Sequence, residues 1–185
     1  MEKLKEKVKK HQELKGMKCY LIGPIDRADD DGIQWRRELK KLCSIKKLDI
    51  DFLDPTDKPV HIGQEIGEEK QKVKRLMKEE KFQEAKEIVT KIRHYDLRMV
   101  DTSNFVIASI DLNTFMCGSF DEIFTAERQQ KPILILMKQK RTDLPAWLIS
   151  FIKPEEVFEN VEDLVNYLDS INKKEIKIDN RWVKF

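Results

Sequence analysis

A chain of 185 residues is long enough for one domain that buries roughly two thirds of its unfolded surface, and nothing in that length calls for a second. Its 36 Lys+Arg against 34 Asp+Glu leave a formal net charge of +2, so the surface is densely charged but lacks the basic excess of a nucleic-acid binder. There is no apolar run of about 18 residues and no apolar signal core, which argues against membrane insertion or secretion; Cys19, Cys43 and Cys117 are too dispersed for a zinc cluster or disulfide framework and suit a reducing, cytoplasmic setting.

Residues 1–16 form a basic N-terminal extension in which Lys3, Lys5, Lys7, Lys9, Lys10 and Lys15 outnumber Glu2, Glu6 and Glu13. It reads as a solvated helix, with Leu4, Val8 and Leu14 making shallow contacts, in preference to a nucleic-acid tail. The domain proper is expected over 17–172. Lys18 to Pro24 reads as a buried strand closed by the Gly23-Pro24 turn, and the polar IDRADDDG leads into an amphipathic helix from about Ile33 to Ile45, with Trp35, Leu39, Leu42 and Cys43 facing inward. Leu48 to Leu53 is a second strand, stopped by Asp54-Pro55-Thr56-Asp57, and strand, helix, strand in this order implies a right-handed crossover and a parallel pair.

From about Gln64 to Met99 the sequence is rich in lysine and glutamate. Its helical apolar spacing at Val73, Leu76 and Met77, then at Ala85, Ile88, Val89 and Ile92, predicts one long helix or two consecutive ones. Asn104 to Ile110 is a third strand of the apolar, β-branched kind expected where both faces of a parallel sheet are covered. Gly118 and Ser119 suit a strand-to-helix corner, and the helix they open carries Glu122 and runs to about Gln129. Pro132 to Met137 is a fourth strand, Leu144 to Ile152 a short helix, Glu156 to Phe158 a fifth strand and Val161 to Ile171 a closing helix. The tail from Lys173 to Phe185 carries Ile176, Ile178, Trp182, Val183 and Phe185 for packing on its own subunit or on a neighbour. The fold class is α/β: a Rossmann-like doubly wound sheet of about five parallel strands, with a long helical insertion after strand 2, over about 64–99.

Open α/β sheets bind ligands beyond the carboxyl ends of their strands, where the strand order reverses. The first and third strands end in Tyr20 to Asp26 and in Asp111 to Glu122, so a phenol, a turn backbone and a carboxylate can converge on one small ligand. Gly118 lets backbone approach that ligand, and Asp111 or Ser119 supplies polar contacts. Asp96, in HYDLRMVD ahead of the third strand, adds a further polar group. Each residue also has a plainer reading: Tyr20 as core, Asp96 as the partner of a lysine, Asp121 and Glu122 as charges favoured at a helix N-terminus, His94 as a surface residue, and Cys117 as a small wall residue. The acidic residues have no metal-ligand spacing.

YLIGPI at 20–25, the aspartate of HYDLRMVD and GSFDEIFTA at 118–126, in this order, resemble the nucleoside 2-deoxyribosyltransferase superfamily, which includes related nucleotide N-glycosidases, over roughly residues 17 to 137. The resemblance implies a flavodoxin-like fold and cleavage of an N-glycosidic bond, with neither cofactor nor metal. By motif, Glu122 matches the family nucleophile, the glutamate four residues after the glycine of G-[ST]-x-x-E; Tyr20 matches the tyrosine that holds it, and Asp96 the aspartate near the nucleobase. A carboxylate attacking the anomeric carbon leaves a covalent glycosyl ester, which a second base or water then resolves, and Asp96, if protonated or bridged by a water, can assist the leaving base. Gly23, Pro24, Asp26, Asp111, Met116, Gly118 and Ser119 are the implied substrate contacts.

The chain also departs from the pattern. Met116 stands where transferases of the superfamily have Asp and its nucleotide hydrolases Ser for the sugar's 5′ end, a task a thioether serves poorly; Asp111, Asn113, Thr114 or Ser119 are the substitutes available. Pro24 replaces a serine that helps hold phosphate in the hydrolases, which favours a nucleoside over a nucleotide, while Arg27 is either an anion ligand or a partner of nearby carboxylates. The implied partners are a nucleoside or nucleotide and a free nucleobase. A homo-oligomer is implied too, in which a neighbour completes the site, with the Trp182 to Phe185 end a candidate contributor. The expected activity is a 2-deoxyribosyltransferase, with an N-glycosidase as the alternative and a non-catalytic nucleotide sensor as the third reading.

Overall fold

The computed structural model describes residues 13–59 and 66–184, so Leu4, Val8, most of the basic extension, the start of the helical insertion and Phe185 lie outside the described residues. Met17–Ile22 (β1), Ile50–Leu53 (β2), Phe105–Ile110 (β3), Ile133–Met137 (β4) and Val157–Phe158 (β5) form an all-parallel sheet in the order β2-β1-β3-β4-β5. The central strands β3 and β4 read as apolar runs, broken only by Ser109 of β3, because helices cover both their faces. The chain runs from β1 outward to β2 on one side, then returns through β3 to β4 and β5 on the other. This reversal leaves a crevice beyond the ends of β1 and β3. Doubly wound α/β architecture is thus the fold, as expected.

Side chains alternate between the two faces of a strand, and that alternation sorts the core into two halves. Cys19 and Leu21 of β1, with Phe105 and Ile107 of β3, meet Leu39 and Cys43 of Ile33–Ile45 (α1) and Leu164 and Leu168 of Val161–Asn172 (α6). Tyr20 and Ile22, with Val106, Ala108 and Ile110, face the other way, toward Val100 of Phe82–Thr102 (α3) and Ile123 of Cys117–Arg128 (α4). Register therefore decides that the Tyr20 phenol lies on the same side of the sheet as the helices carrying Asp96 and Glu122. A one-residue slip would put it in the opposite core.

The insertion after β2 resolves into two helices, Gly67–Lys78 (α2) and α3, which pack against one another. They are separated where Glu80 takes a left-handed φ of 57° and the Lys81 N–H closes on the Leu76 carbonyl at 2.9 Å. The short helix before β5 is briefer than its apolar run suggests, Ala146–Ile149 (α5), since Pro145 can only open it and Pro154 follows close behind. Leu14 is a correction to the expected shallow contact: it is fully buried in the first core, and its N–H donates to Asn172 Oδ1 at 3.2 Å.

The tail from Lys173 to Lys184 packs on its own subunit. Ile176, Ile178 and Trp182 lie against the first core, the Trp182 ring centroid is 5.1 Å from that of Phe105, and Asn104 Nδ2 donates to the Val183 carbonyl at 3.0 Å. Phe105 begins β3, so Trp182 lies at the opposite end of the sheet from the crevice. No helix among the described residues is long and apolar enough to cross a membrane.

Candidate active site

The crevice is a cavity of about 680 Å³ walled by Tyr20 of β1 and the loop after that strand, by Pro55, by Phe115 and Met116 of the loop after β3, by the start of α4 and by one face of α3. At its centre the Tyr20 hydroxyl donates to Glu122 Oε1 at 2.6 Å, across 102 residues of sequence. Tyr20 is 1% exposed and Glu122 is half-buried, so the bond runs between a core phenol and a carboxylate at the edge of open space. The bond ties the Glu122 side chain to the buried phenol and so fixes its orientation.

The start of α4 owes its position to the turn after β3. Asp111 accepts from the Asn113 N–H and the Thr114 hydroxyl, each at 3.0 Å, and from Lys138 Nζ and Gln139 Nε2, each at 2.9 Å. Partial burial pushes the Asp111 carboxyl up, but these four donors outweigh it and hold the group well below the usual carboxylate range. Asp111 is therefore spent on stapling the loop and does not line the cavity. Its own N–H donates to Met116 Sδ at 3.3 Å, so the Met116 thioether is engaged from behind while its side chain forms part of the wall. Gly118 and Ser119 also line the cavity, and a Cβ on Gly118 would meet nothing within 4 Å. Local packing thus leaves the space above Gly118 open.

Gly23, Pro24, Asp26 and Arg27 line the facing wall. Arg36 shapes that loop, although it lies on the inward face of α1, where a hydrophobic residue is the ordinary choice. It is fully buried, with Nη1 donating to the Gly32 carbonyl at 2.7 Å and Nη2 to the carbonyls of Leu21 at 3.1 Å and Gly23 at 3.2 Å. Its Nε lies 3.7 Å from Asp54. Gly32 closes the same loop at φ 68°, where a Cβ would come within 2.3 Å of the Pro24 carbonyl oxygen. Asp26 and Arg27 pair with each other at 3.2 Å, the plainer of the two readings for that arginine.

From α3, Asp96 enters the wall with Ile92 and Arg93. Arg93 pairs with Asp121 of α4 at 2.8 Å across the cavity mouth. Asp96 pairs with Lys58 at 2.7 Å, their side chains 9% and 2% exposed. Lys58 follows a turn, Pro55–Asp57, that Asp54 caps by accepting from the Thr56 N–H at 2.9 Å. The sequence suggests that Asp96 takes a lysine partner; nothing in a chain with 36 Lys+Arg says which. Lys58, Arg36, Arg93 and Phe115 carry no site motif in the sequence, and the one local signal among them is a charged residue, Arg36, on the apolar stripe of α1. Cys117 is exposed on the cavity rim, whereas Cys19 and Cys43 are buried in the first core, where desolvation pushes the Cys43 thiol up to about 12.

No family model and no curated protein matches the chain. Among solved structures, it is similar to a 2-deoxyribosyltransferase from the psychrotolerant bacterium Bacillus psychrosaccharolyticus, described as a biocatalyst for the synthesis of antiviral and antitumoral nucleosides. The TM-score is 0.55 at 14% identity, over 81% of this chain and 91% of that one. It is also similar to a 2-deoxyribosyltransferase from Leishmania mexicana, with a TM-score of 0.53 at 18% identity, over 83% of this chain and 97% of the other. At these identities the likeness is one of fold, and the chain has the flavodoxin-like α/β fold of the 2-deoxyribosyltransferases.

Proposed function

We propose that the protein is a nucleoside 2-deoxyribosyltransferase in which Glu122 is the nucleophile, Tyr20 orients it and Asp96 meets the base. The observation that carries this reading is the 2.6 Å hydrogen bond from Tyr20 to Glu122 inside a cavity that Asp96 also lines. In the first half-reaction a Glu122 oxygen forms a bond to C1′ as the C1′–N bond breaks, its electron pair leaving with the base nitrogen. In the second, a nitrogen of another base attacks C1′, loses its proton and releases the carboxylate, so configuration is retained overall. Water in place of the second base would give free sugar, the N-glycosidase reading.

Of the candidates for the sugar's 5′ end, Ser119 has the strongest support, because it lines the cavity while Asp111 and Thr114 are bonded to each other. The two arginines in the wall, Arg27 and Arg93, are each paired with a carboxylate, which supports a nucleoside over a nucleotide. Phe115, 78% exposed on the rim, supports completion of the site by a neighbouring copy, as the resemblance implies.

Chromatography of deoxynucleosides incubated with and without a second free base tests the proposal: a new nucleoside appearing only with the added base supports it, free sugar regardless of base moves the assignment to a hydrolase, and no consumption sinks both. Tyr20→Phe should lower kcat by roughly 10- to 100-fold, the worth of a hydrogen bond to a charged group, with KM little changed; an unaltered kcat would remove Tyr20 from the mechanism. Gly118→Ala should leave thermal stability within about 1 kcal/mol of the parent, on the stable side, because alanine favours a helix and meets no neighbour. Its KM should nevertheless rise about tenfold or more if a ligand occupies that space, and an unchanged KM would place the ligand elsewhere.

A further inference from the structure

We infer that Lys58 holds Asp96 as a hydrogen-bond acceptor, so that the cavity selects a nucleobase presenting an N–H donor, in the first place an exocyclic amino group. The inference rests on the function proposed above and deepens it to a class of base.

The geometry is that of a buried pair whose anion alone reaches the cavity. Lys58 Nζ lies 2.7 Å from Asp96 Oδ1 with both side chains almost fully enclosed, and Asp96 belongs to the cavity wall whereas Lys58 does not. Removing two such charges from water costs several kcal/mol each, so the arrangement persists only where the surroundings fix it. They do so here. Lys58 directly follows the Pro55–Asp57 turn, whose cap, Asp54, is held in turn by Lys40 Nζ at 2.7 Å and by Thr56 through both its N–H and its hydroxyl. Asp96 is on the long helix α3, between Ile92, which lines the cavity, and Val100, which is fully buried in the second core.

An ionised carboxylate accepts hydrogen bonds and donates none, so a carbonyl oxygen or ring-nitrogen lone pair set against it would face another acceptor. Sites built to receive a substrate N–H reject the analogue lacking it far more strongly than an apolar pocket rejects a missing methylene. Lys58 does not meet the substrate. It acts through Asp96, as a positioning residue, and its signature is therefore a change in which base is preferred.

The test compares kcat/KM for 2′-deoxyadenosine with that for the purine 2′-deoxyriboside unsubstituted at C6, and for 2′-deoxycytidine with its analogue unsubstituted at C4. Within each pair the amino donor is the one substituent that changes. The native protein should favour the amino-bearing member of the pair it uses by about 100-fold. In Lys58→Met the ammonium that holds Asp96 Oδ1 at 2.7 Å is gone, so the carboxylate loses the contact that fixes it as an acceptor in the wall and the preference should fall at least about tenfold. Lys58→Arg, which keeps the cation, should retain most of it. Comparing the ratio in the variant with that in the native protein cancels intrinsic differences in leaving-group ability and any loss of activity common to both substrates, and the free-base dissociation constants remove leaving-group ability from the native comparison.

Equal use of both members by the native protein overturns the inference whether or not a variant folds, as does an unchanged ratio in a folded Lys58→Met. Dissociation constants of free adenine against purine, and of cytosine against its 4-unsubstituted analogue, separate this result from failure of the proposed function. Binding that favours the amino-bearing base and loses that preference in Lys58→Met upholds the inference even if no nucleoside is turned over. Absence of any such preference in native-protein binding overturns it.

Discussion

Replacing Glu122 with alanine is expected to lower kcat for deoxyribosyl transfer by about 10⁴-fold or more, because the reaction then loses the atom that bonds to C1′ and not merely a stabilising contact. Tyr20 and the cavity walls remain in Glu122→Ala, so nucleoside binding should survive within about tenfold, and calorimetric titration beside the turnover assay separates the two effects. Intact-mass spectrometry supplies the positive counterpart. The native protein incubated with a deoxynucleoside and no second base should carry an adduct of the deoxyribosyl group, located on the peptide containing Glu122 and missing from Glu122→Ala. A variant that keeps near-native kcat, or an adduct on another residue, would end the assignment of Glu122.

Arg36→Met is expected to destabilise the fold by about 3–5 kcal/mol, the range for removing one member of a buried charged network. The guanidinium donates to the carbonyls of Leu21, Gly23 and Gly32 and lies within 4.7 Å of the Trp35 ring, so its loss strips donors from three enclosed carbonyls and leaves Asp54 with one cation fewer. For a chain of this length that corresponds to a melting temperature lower by roughly 10 °C, readable by calorimetry or by the midpoint of urea unfolding. Lysine should rescue little, since a single ammonium cannot reproduce the fork that reaches two loops at once. The same carbonyls belong to the loop carrying Gly23 to Arg27, so the variant, assayed well below its melting point, should also show a raised KM. A loss of stability under about 1 kcal/mol would mean the loop holds its shape without Arg36.

Much of the fold was legible because its signals are local. Strands β3 and β4 are covered on both faces, so their apolar character, interrupted only at Ser109, sets them apart from the helical periodicity beside them. Helix α1 was readable from end to end because a left-handed Gly32 precedes it and its apolar residues recur at helical spacing. The break between α2 and α3 was not, since Glu79, Glu80 and Lys81 are ordinary helix residues and the turn depends on a positive φ that no glycine advertises. The burial of Leu14 is hidden in the sequence for a similar reason: it follows a lysine-rich run, and only the return of α6 beneath it creates the core it enters.

At the site, the order of residues along the chain is enough to show which chemistry-bearing groups are available and that Tyr20, Asp96 and Glu122 fall near the ends of elements converging on one crevice. Which of them share it is a matter of packing. The phenol meets the carboxylate because β1 and β3 pair in a register that turns Tyr20 toward α4. Asp111 was drawn out of the wall by Lys138 and Gln139, which arrive only when β4 lies beside β3. Lys58 reaches Asp96 because a capped turn aims it there. Periodicity records how a residue relates to its own helix or strand; the choice of partner among 36 basic and 34 acidic side chains is a matter of distance and burial, which exist only once the chain has folded.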